Sequence, residues 1–364
     1  MNNLFNGIYN GKKVFITGNT GFKGTWLSIW LKSLGAEVMG YSLKTNTYPS
    51  MFDSINSIEN INTIYGDIRN YEFLYKSIND FQPDIIFHLA AQPLVRYSYN
   101  KPLETYEVNV IGTANVLEAA RFVESVKSVV IITTDKCYEN KEWVYGYREN
   151  DPMGGYDPYS SSKGCAELVT SAYRNSFYNN SSIGLASARA GNVIGGGDWA
   201  EDRLIPDFVK ATISEKDILI RNPKATRPWQ HVLEPLSGYL WLGASMMEDK
   251  EKFNSGWNFG PRDSDVRTVK EILELSIEAW GKGKYVIDCK EQPHEANLLK
   301  LDISKAGAIL GWQPVYPVEI AINQTIEWYR NFYDKNEDIL EFTIKQIENY
   351  IENARKQNIG WSVN

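Results

Sequence analysis

From Lys13 to about Arg189, short apolar runs of β type alternate with stretches of helical periodicity, and this rhythm confines the chain to successive β-α-β units of a parallel sheet. The expected strands run from Val14 to Thr17, Glu37 to Tyr41, Asn62 to Tyr65, Ile85 to Ala90, Ser128 to Thr133 and Ile183 to Ala188. Between the first two, Phe22, Trp26, Leu27, Trp30, Leu31 and Leu34 recur at helical spacing, and Gly35 follows as a C-cap. After Arg189 the rhythm breaks into Gly- and Pro-punctuated loops, around Gly195 to Asp198 and Asn222 to Pro228, with helices starting near Thr268, Val318 and Glu337. The expected fold is α/β: a doubly wound parallel sheet over residues 1–189, rejoined by segments near 229–260, and a smaller mixed α/β lobe formed mainly by 190–364. The charged stretch from Asp334 to Lys356 carries Leu340, Ile344, Ile347 and Ile351 on one face and reads as a surface helix packed by one stripe.

With 364 residues and 43% hydrophobic content the chain can bury one large core or two moderate ones. A formal charge of -7 and the lack of any long Lys/Arg run speak against nucleic-acid binding. Cys137, Cys165 and Cys289 share no metal-ligand or disulfide-framework spacing, which suits reduced thiols used in packing. The polar start from Met1 to Asn10 has no signal-peptide pattern, and no apolar run approaches the roughly 20 residues that span a bilayer. A cytosolic protein is expected. His88, His231 and His294 share no ligand spacing, so no metal site is expected.

Between the first strand and helix lies Thr17-Gly18-Asn19-Thr20-Gly21-Phe22-Lys23-Gly24, with glycines three apart. Such a turn lets backbone approach a pyrophosphate and aims the free N–H groups of a helix N-terminus at the anion. A dinucleotide is therefore the expected ligand. Asp67, after the third strand, suits the adenine amino group or, alternatively, a cap for the helix near Tyr71. Tyr41-Ser42-Leu43-Lys44 lacks the acidic residue that would hold the adenosine ribose, so these residues leave NAD against NADP open. Past the fifth strand come Thr134, Asp135 and Lys136, then Tyr159 and Lys163, four apart at the start of a helix. That spacing stacks the two side chains on one face, where an ammonium can lower a phenol pKa from about 10 towards neutrality and let a tyrosinate take a hydroxyl proton.

These motifs, with Ala91 to Arg96, Thr133 to Tyr138, Asp157-Pro158-Tyr159 and Arg227 to Val232, resemble the extended short-chain dehydrogenase/reductase family over essentially the whole chain, in its branch of nucleotide-sugar 4,6-dehydratases. The resemblance implies NAD as cofactor, CDP-glucose as substrate, a lyase reaction that oxidises C4, eliminates water across C5 and C6 and reduces C6, and a homodimer built on helices near Thr105 to Glu124 and Tyr159 to Phe177. Thr134, Tyr159 and Lys163 then act as hydroxyl, base and lysine, and Asn109 as the family's structural Asn. Where related dehydratases generally carry Asp-Glu for the elimination, this chain has Asp135-Lys136; Lys136 is expected to take part in C5 deprotonation, or to stabilise the enolate, and Asp135 to protonate the leaving 6-OH. Asn19 replaces the His expected in that glycine turn.

Gly18, Gly21, Phe22, Lys23, Gly24, Asp67, Ile68, Leu89, Ala90 and Ala91 are the expected cofactor wall, together with Tyr159 and Lys163. Gln92, Arg96, Ser98, Tyr99, Asn192, Arg203, Arg221 and Arg227 are the expected substrate contacts, the arginines because a guanidinium fork matches a diphosphate. A sugar-nucleotide 4-epimerase or decarboxylase would share the Tyr-Lys pair but not Asp135-Lys136. A dinucleotide-sensing regulator would be expected to have lost one of Thr134, Tyr159 or Lys163, and all three are present.

Overall fold

The computed structural model describes residues 1, 3–55, 61–288 and 298–363, so Cys289 and His294 lie outside it. Seven strands form one parallel sheet: β1 (Lys13–Thr17), β2 (Glu37–Ser42), β3 (Asn62–Tyr65), β4 (Ile85–His88), β5 (Ser128–Ile132), β6 (Gly184–Ala190) and β7 (Gly256–Phe259), in the order β7-β6-β5-β4-β1-β2-β3. The chain starts in the middle, winds to one edge, then returns and winds to the other. The reversal falls beside β1 and β4, whose carboxyl ends open a crevice for ligands.

Strand alternation divides the core in two. Val14, Ile16, Ile85, Phe87, Val130 and Ile132 point to one face and Phe15, Ile86, Val129 and Ile131 to the other. The first face is covered by α1 (Phe22–Ser33) and by α6 (Leu233–Glu248), numbered after α2 (Tyr71–Phe81), α3 (Gly112–Ala120), α4 (Pro158–Tyr173) and α5 (Leu204–Ile213). The second is covered by α2, α3 and α4. Helix α6 is buried on nearly every side, so it belongs between layers, where it packs on β5 and β6.

Beyond β7, the helices α7 (Val269–Trp280), α8 (Val318–Asp334) and α9 (Ile339–Lys356) extend the core of the first sheet face and complete the C-terminal part. Buried Glu234 of α6 ties that part down by accepting from the Val315 amide (2.9 Å), the Tyr316 amide (2.7 Å) and the Tyr350 hydroxyl (2.7 Å). Helix α9 docks by Ile347, Tyr350, Ile351 and Ala354, whereas Leu340 and Ile344 are only partly buried. Trp361 stacks on Phe5 (ring centroids 5.1 Å) and on Tyr350 (5.8 Å), which joins the two ends of the described chain over α1.

The two long helices expected from the sequence are not regular. The first reaches from Pro102–Tyr106 through a π turn at Glu107–Ile111 into α3; the second, α4, ends in a π turn at Arg174–Tyr178. The first π turn has a use. It presents Asn109 to the segment after β4, where Oδ1 accepts from the Gln92 amide (2.8 Å) and Nδ2 donates to the Ser162 hydroxyl (2.8 Å).

Candidate active site

A cleft of about 1190 Å³ runs along the carboxyl ends of the strands. It exceeds the roughly 300–1,000 Å³ of ordinary small-molecule pockets and so has room for two large ligands. The glycine turn forms one wall. Gly18 has φ +77°, and a Cβ there would lie 2.7 Å from the Ala90 amide nitrogen; at Gly24 a Cβ would lie 2.1 Å from the Gly18 carbonyl oxygen. The turn is thus folded tightly onto itself and onto the end of β4, leaving exposed Gly21 at the N-cap of α1 with no side-chain cap and the first helical N–H groups towards the cleft. These residues fit a dinucleotide pyrophosphate. Since the atoms crowding Gly24 are backbone, Gly24→Ala is expected to cost about 1–3 kcal/mol of stability and to weaken dinucleotide binding; thermal unfolding with and without NAD reads both.

Thr20 anchors the turn through the Ser42 hydroxyl (2.7 Å) and the Leu43 carbonyl (2.9 Å). Asn19 is buried and donates to the Thr63 hydroxyl of β3 (2.8 Å), under the sheet edge, so its replacement of His is felt in packing before it is felt in the cleft. Asp67 lines the cleft but is held by Arg69, whose side chain approaches to 2.6 Å and keeps the carboxyl below the usual carboxylate range. It does not cap α2; Asn70 does, accepting from the Phe73 amide.

Helix α4 carries the Tyr-Lys pair. Asp157 caps it by accepting from the Ser160 amide (2.9 Å), and Pro158 starts the first turn, which places buried Tyr159 on the wall of the cleft. Thr134, just past β5, hydrogen-bonds with the Tyr159 phenol and donates to Asp135 Oδ1 (2.9 Å). The expected fall of the phenol pKa is not met in the protein alone. Burial pushes Tyr159 up to about 12 against the opposing Thr134 bond, and burial also lowers Lys163 to about 8, with Glu167 opposing. Removing a phenol and an ammonium from water disfavours the charged form of each, and here that outweighs their neighbours.

Asp135 is fully buried behind this wall, and its Oδ2 has no partner among the described residues. Lys136 is on the wall itself, its side chain 28% exposed and its ammonium 3.6 Å from Asp135 Oδ1. Sequence reasoning gave Lys23 only to the cofactor turn. Here it also faces the catalytic groups: burial, then Lys163 and Arg203, bring it down to about 7, with Asp135 and Asp198 opposing. Nothing in the local motif signals this convergence.

On the other wall Asn192, Arg203, Arg221 and Arg227 reach the cleft with Arg96. Three of these cations are matched by carboxylates that the sequence reading did not single out: Arg203 with Asp198 (2.7 Å), and Arg221 (2.7 Å) and Arg96 (3.7 Å) with Asp202. The Arg96–Asp202 contact links the segment after β4 to the loop before α5 across the cleft. Ile68, Leu89, Ala90 and Ala91 line the dinucleotide side. Gln92, Ser98 and Tyr99 are not on the wall. Fully buried Ser98 donates to the Val95 carbonyl (2.6 Å) and accepts from the Tyr159 amide (3.2 Å), and the Gln92 side chain bonds to Thr105 and to the Leu94 backbone. Both position the catalytic helix and its neighbours. His88 and His231 are buried and packed, each brought down to about 3 by burial.

A Rossmann sheet with a glycine turn, a Thr-Tyr-Lys set at the end of β5 and the start of α4 and arginines across the cleft defines an extended short-chain dehydrogenase/reductase of the nucleotide-sugar type. The chain belongs to the family described as GDP-mannose 4,6 dehydratase, which matches residues 15–325. It is 51% identical over 350 residues to a CDP-glucose 4,6-dehydratase of Salmonella typhimurium, covering 94% of this chain and 97% of that protein. A CDP-paratose 2-epimerase of Salmonella typhi is 24% identical over 341 residues, 87% of this chain and 98% of that one. Among solved structures, the fold matches an epimerase of Methanothermobacter thermautotrophicus (TM-score 0.79, 24% identity, 90% of this chain and 94% of that one). It also matches a dTDP-glucose 4,6-dehydratase of Bacillus anthracis in complex with NAD (TM-score 0.72, 23% identity, 90% and 98%).

Proposed function

We propose that the protein converts CDP-glucose to CDP-4-dehydro-6-deoxyglucose and water, with NAD as a recycled cofactor. The observation that carries this reading is the Asp135-Lys136 pair beside the Thr134-Tyr159-Lys163 set, in a chain half identical to a CDP-glucose 4,6-dehydratase. NAD, when bound, supplies the hydride acceptor for C4, the hydride donor for C6 and a cationic ring that favours the ionised phenol.

The chain's own groups do the rest. Tyr159 takes the proton of the 4-OH, Thr134 hydrogen-bonds the 4-oxygen as it becomes a carbonyl, and Lys163 holds the cofactor ribose and the tyrosinate. Lys136 accepts the C5 proton, and Asp135, the buried acid beside it, is the proton source for the leaving 6-oxygen. That exchange leaves an ammonium beside a carboxylate, the ion pair present in the structure; as C6 is reduced, the Lys136 ammonium returns a proton to C5, and the proton that Tyr159 took from the 4-OH passes to Asp135 and resets the site. Arg227, Arg203 and Arg221 hold the diphosphate, with Arg96 closing from the opposite lobe.

The test is incubation with CDP-, UDP- and dTDP-glucose, followed by the alkaline absorbance of a 4-keto sugar. CDP-glucose alone should give strong signal; turnover of another nucleotide in its place would overturn the substrate assignment.

The protein is further proposed to act as a cytoplasmic homodimer whose product feeds 6-deoxysugar synthesis for surface glycans such as O-antigen. Free Cys137 and Cys165 fit a reducing compartment. Leu103, Ile111, Phe122, Leu168 and Phe177 leave large apolar side chains exposed in and beside the two irregular helices, enough to make that face a contact between copies. Leu168→Arg should convert dimer to monomer in light scattering coupled to size exclusion.

A further inference from the structure

Tyr159, Lys163 and Glu167 are four apart on α4 and share one face, so the carboxylate stands directly behind the catalytic lysine. Glu167 and Arg189 form a salt bridge at 2.8 Å with side chains only 3% and 6% exposed. Around it runs a directed set of hydrogen bonds. The Glu167 carboxylate accepts from the Thr133 hydroxyl and from the Ser187 hydroxyl (2.7 Å). Arg189 Nη1 donates to the Tyr138 hydroxyl (2.7 Å) and the Glu149 carbonyl (2.9 Å). Tyr138 donates to Asn258 Oδ1 of β7 (2.7 Å), and Asn258 Nδ2 donates to the Tyr147 carbonyl (2.8 Å) and the Asp302 carbonyl (3.1 Å).

Thr133 immediately precedes Thr134-Asp135-Lys136, and Tyr138 follows two residues after Lys136. The turn that carries the elimination groups is therefore gripped on both sides by one buried network, which also reaches the second-lobe segment at Asp302. As a stabilising device a buried ion pair is poor, because its desolvation cancels much of the attraction and apolar residues of like volume do as well. As a device for fixing direction it is strong, since every bond has a set angle.

We propose that the Glu167-Arg189 pair is a positioning element that holds the Thr134–Lys136 turn and the Lys163 ammonium in register for the reaction. This rests on the dehydratase reading given above. Its electrostatic side is specific. The groups facing Lys163 are Glu167 on its own helix, Cys137 on the catalytic turn, Lys23 from α1 and His88 from β4. Burial leaves the Cys137 thiol and the His88 imidazole neutral, so Glu167 is the anion in this set that favours the ammonium. Burial would raise the Glu167 carboxyl, but Arg189 with the Thr133 and Ser187 hydroxyls holds it below its usual range, so that charge is present throughout the working pH.

The experiment uses Glu167→Gln, Glu167→Asp and the double variant Glu167→Met/Arg189→Met, each loaded with NAD and assayed from pH 6 to 10 with CDP-glucose. With Lys163 needed as ammonium and Glu167 no longer favouring it, the alkaline limb of kcat should move down by at least half a pH unit in Glu167→Gln and in the double variant. In both, kcat should fall at least tenfold with KM within about threefold. Glu167→Asp, which keeps the charge but not the reach, should lower kcat and leave the limb in place. Unchanged kcat and limb in a folded variant overturns the proposal, as does failure of both Glu167→Gln and the double variant to fold, which would make the pair a folding element. Should the wild type prove inactive on CDP-glucose, the functional reading fails by itself. Competitive acetylation of Lys163 across pH, read by mass spectrometry without substrate, then still decides this one: a lower apparent pKa in Glu167→Gln supports it, and no change overturns it.

Discussion

Tyr159→Phe should lower kcat with CDP-glucose by about 10²–10⁴, the range that a positioned proton-transfer group contributes, while NAD binding changes little. The substitution keeps the ring that fills the first turn of α4 and removes only the hydroxyl that Thr134 engages. Because burial pushes the phenol up to about 12, the resting group is a neutral acid, and the chemistry depends on charge brought into the cleft to ionise it. A pH-rate profile on the NAD-loaded wild type checks that dependence: its acidic limb should lie far below 12. Stopped-flow absorbance of C4 oxidation, with NAD in excess, separates loss of this step from loss of binding. A kcat within threefold of wild type would remove Tyr159 from the mechanism.

The second large effect is expected at Lys136. Lys136→Met keeps most of the side-chain volume on the cleft wall and removes the ammonium 3.6 Å from Asp135. In deuterated water the variant should still oxidise C4 and accumulate reduced cofactor, yet take up no deuterium at C5, and 4-keto-6-deoxy product should fall by about 10²-fold or more. Unchanged label uptake and rate would hand C5 deprotonation to another group. The variant also separates the elimination from the hydride steps, which a 4-epimerase or a decarboxylase would share without needing Lys136.

Much of this was legible in the residues because each signal had a local physical cause. Strand alternation set the two core faces, the glycine spacing set the turn onto β4, and Tyr159 and Lys163 stacked because helical geometry stacks residues four apart. What escaped was non-local. The Lys23 ammonium is disfavoured by burial and then by Lys163 and Arg203, which lie about 140 and 180 residues further along the chain. Ser98 and Gln92 carry the polar side chains of substrate contacts, but neighbouring backbone groups claim them, which no spacing reveals. Asp198 and Asp202 gave no signal because they matter only through the arginines they meet. Glu167 was findable, eight residues beyond Tyr159 on the same face, but its importance appears only once Arg189 is brought beside it by β6.

The π turns were beyond periodicity as well. The first adds a residue within an otherwise continuous helical pattern and the second closes α4, so the apolar spacing predicts longer regular helices than form. The C-terminal helices were the least readable part, since they are held by polar anchors such as Glu234 and by aromatic stacking, both assembled from distant segments.

The central claim is that hydride leaves C4 and returns to C6 of the same sugar, with water lost between. CDP-glucose carrying deuterium at C4 tests it in one tube with enzyme and catalytic NAD. The account predicts CDP-4-dehydro-6-deoxyglucose with the deuterium at C6 and no net reduced cofactor; deuterium retained at C4 in an epimerised sugar, or released into free reduced cofactor, would contradict it.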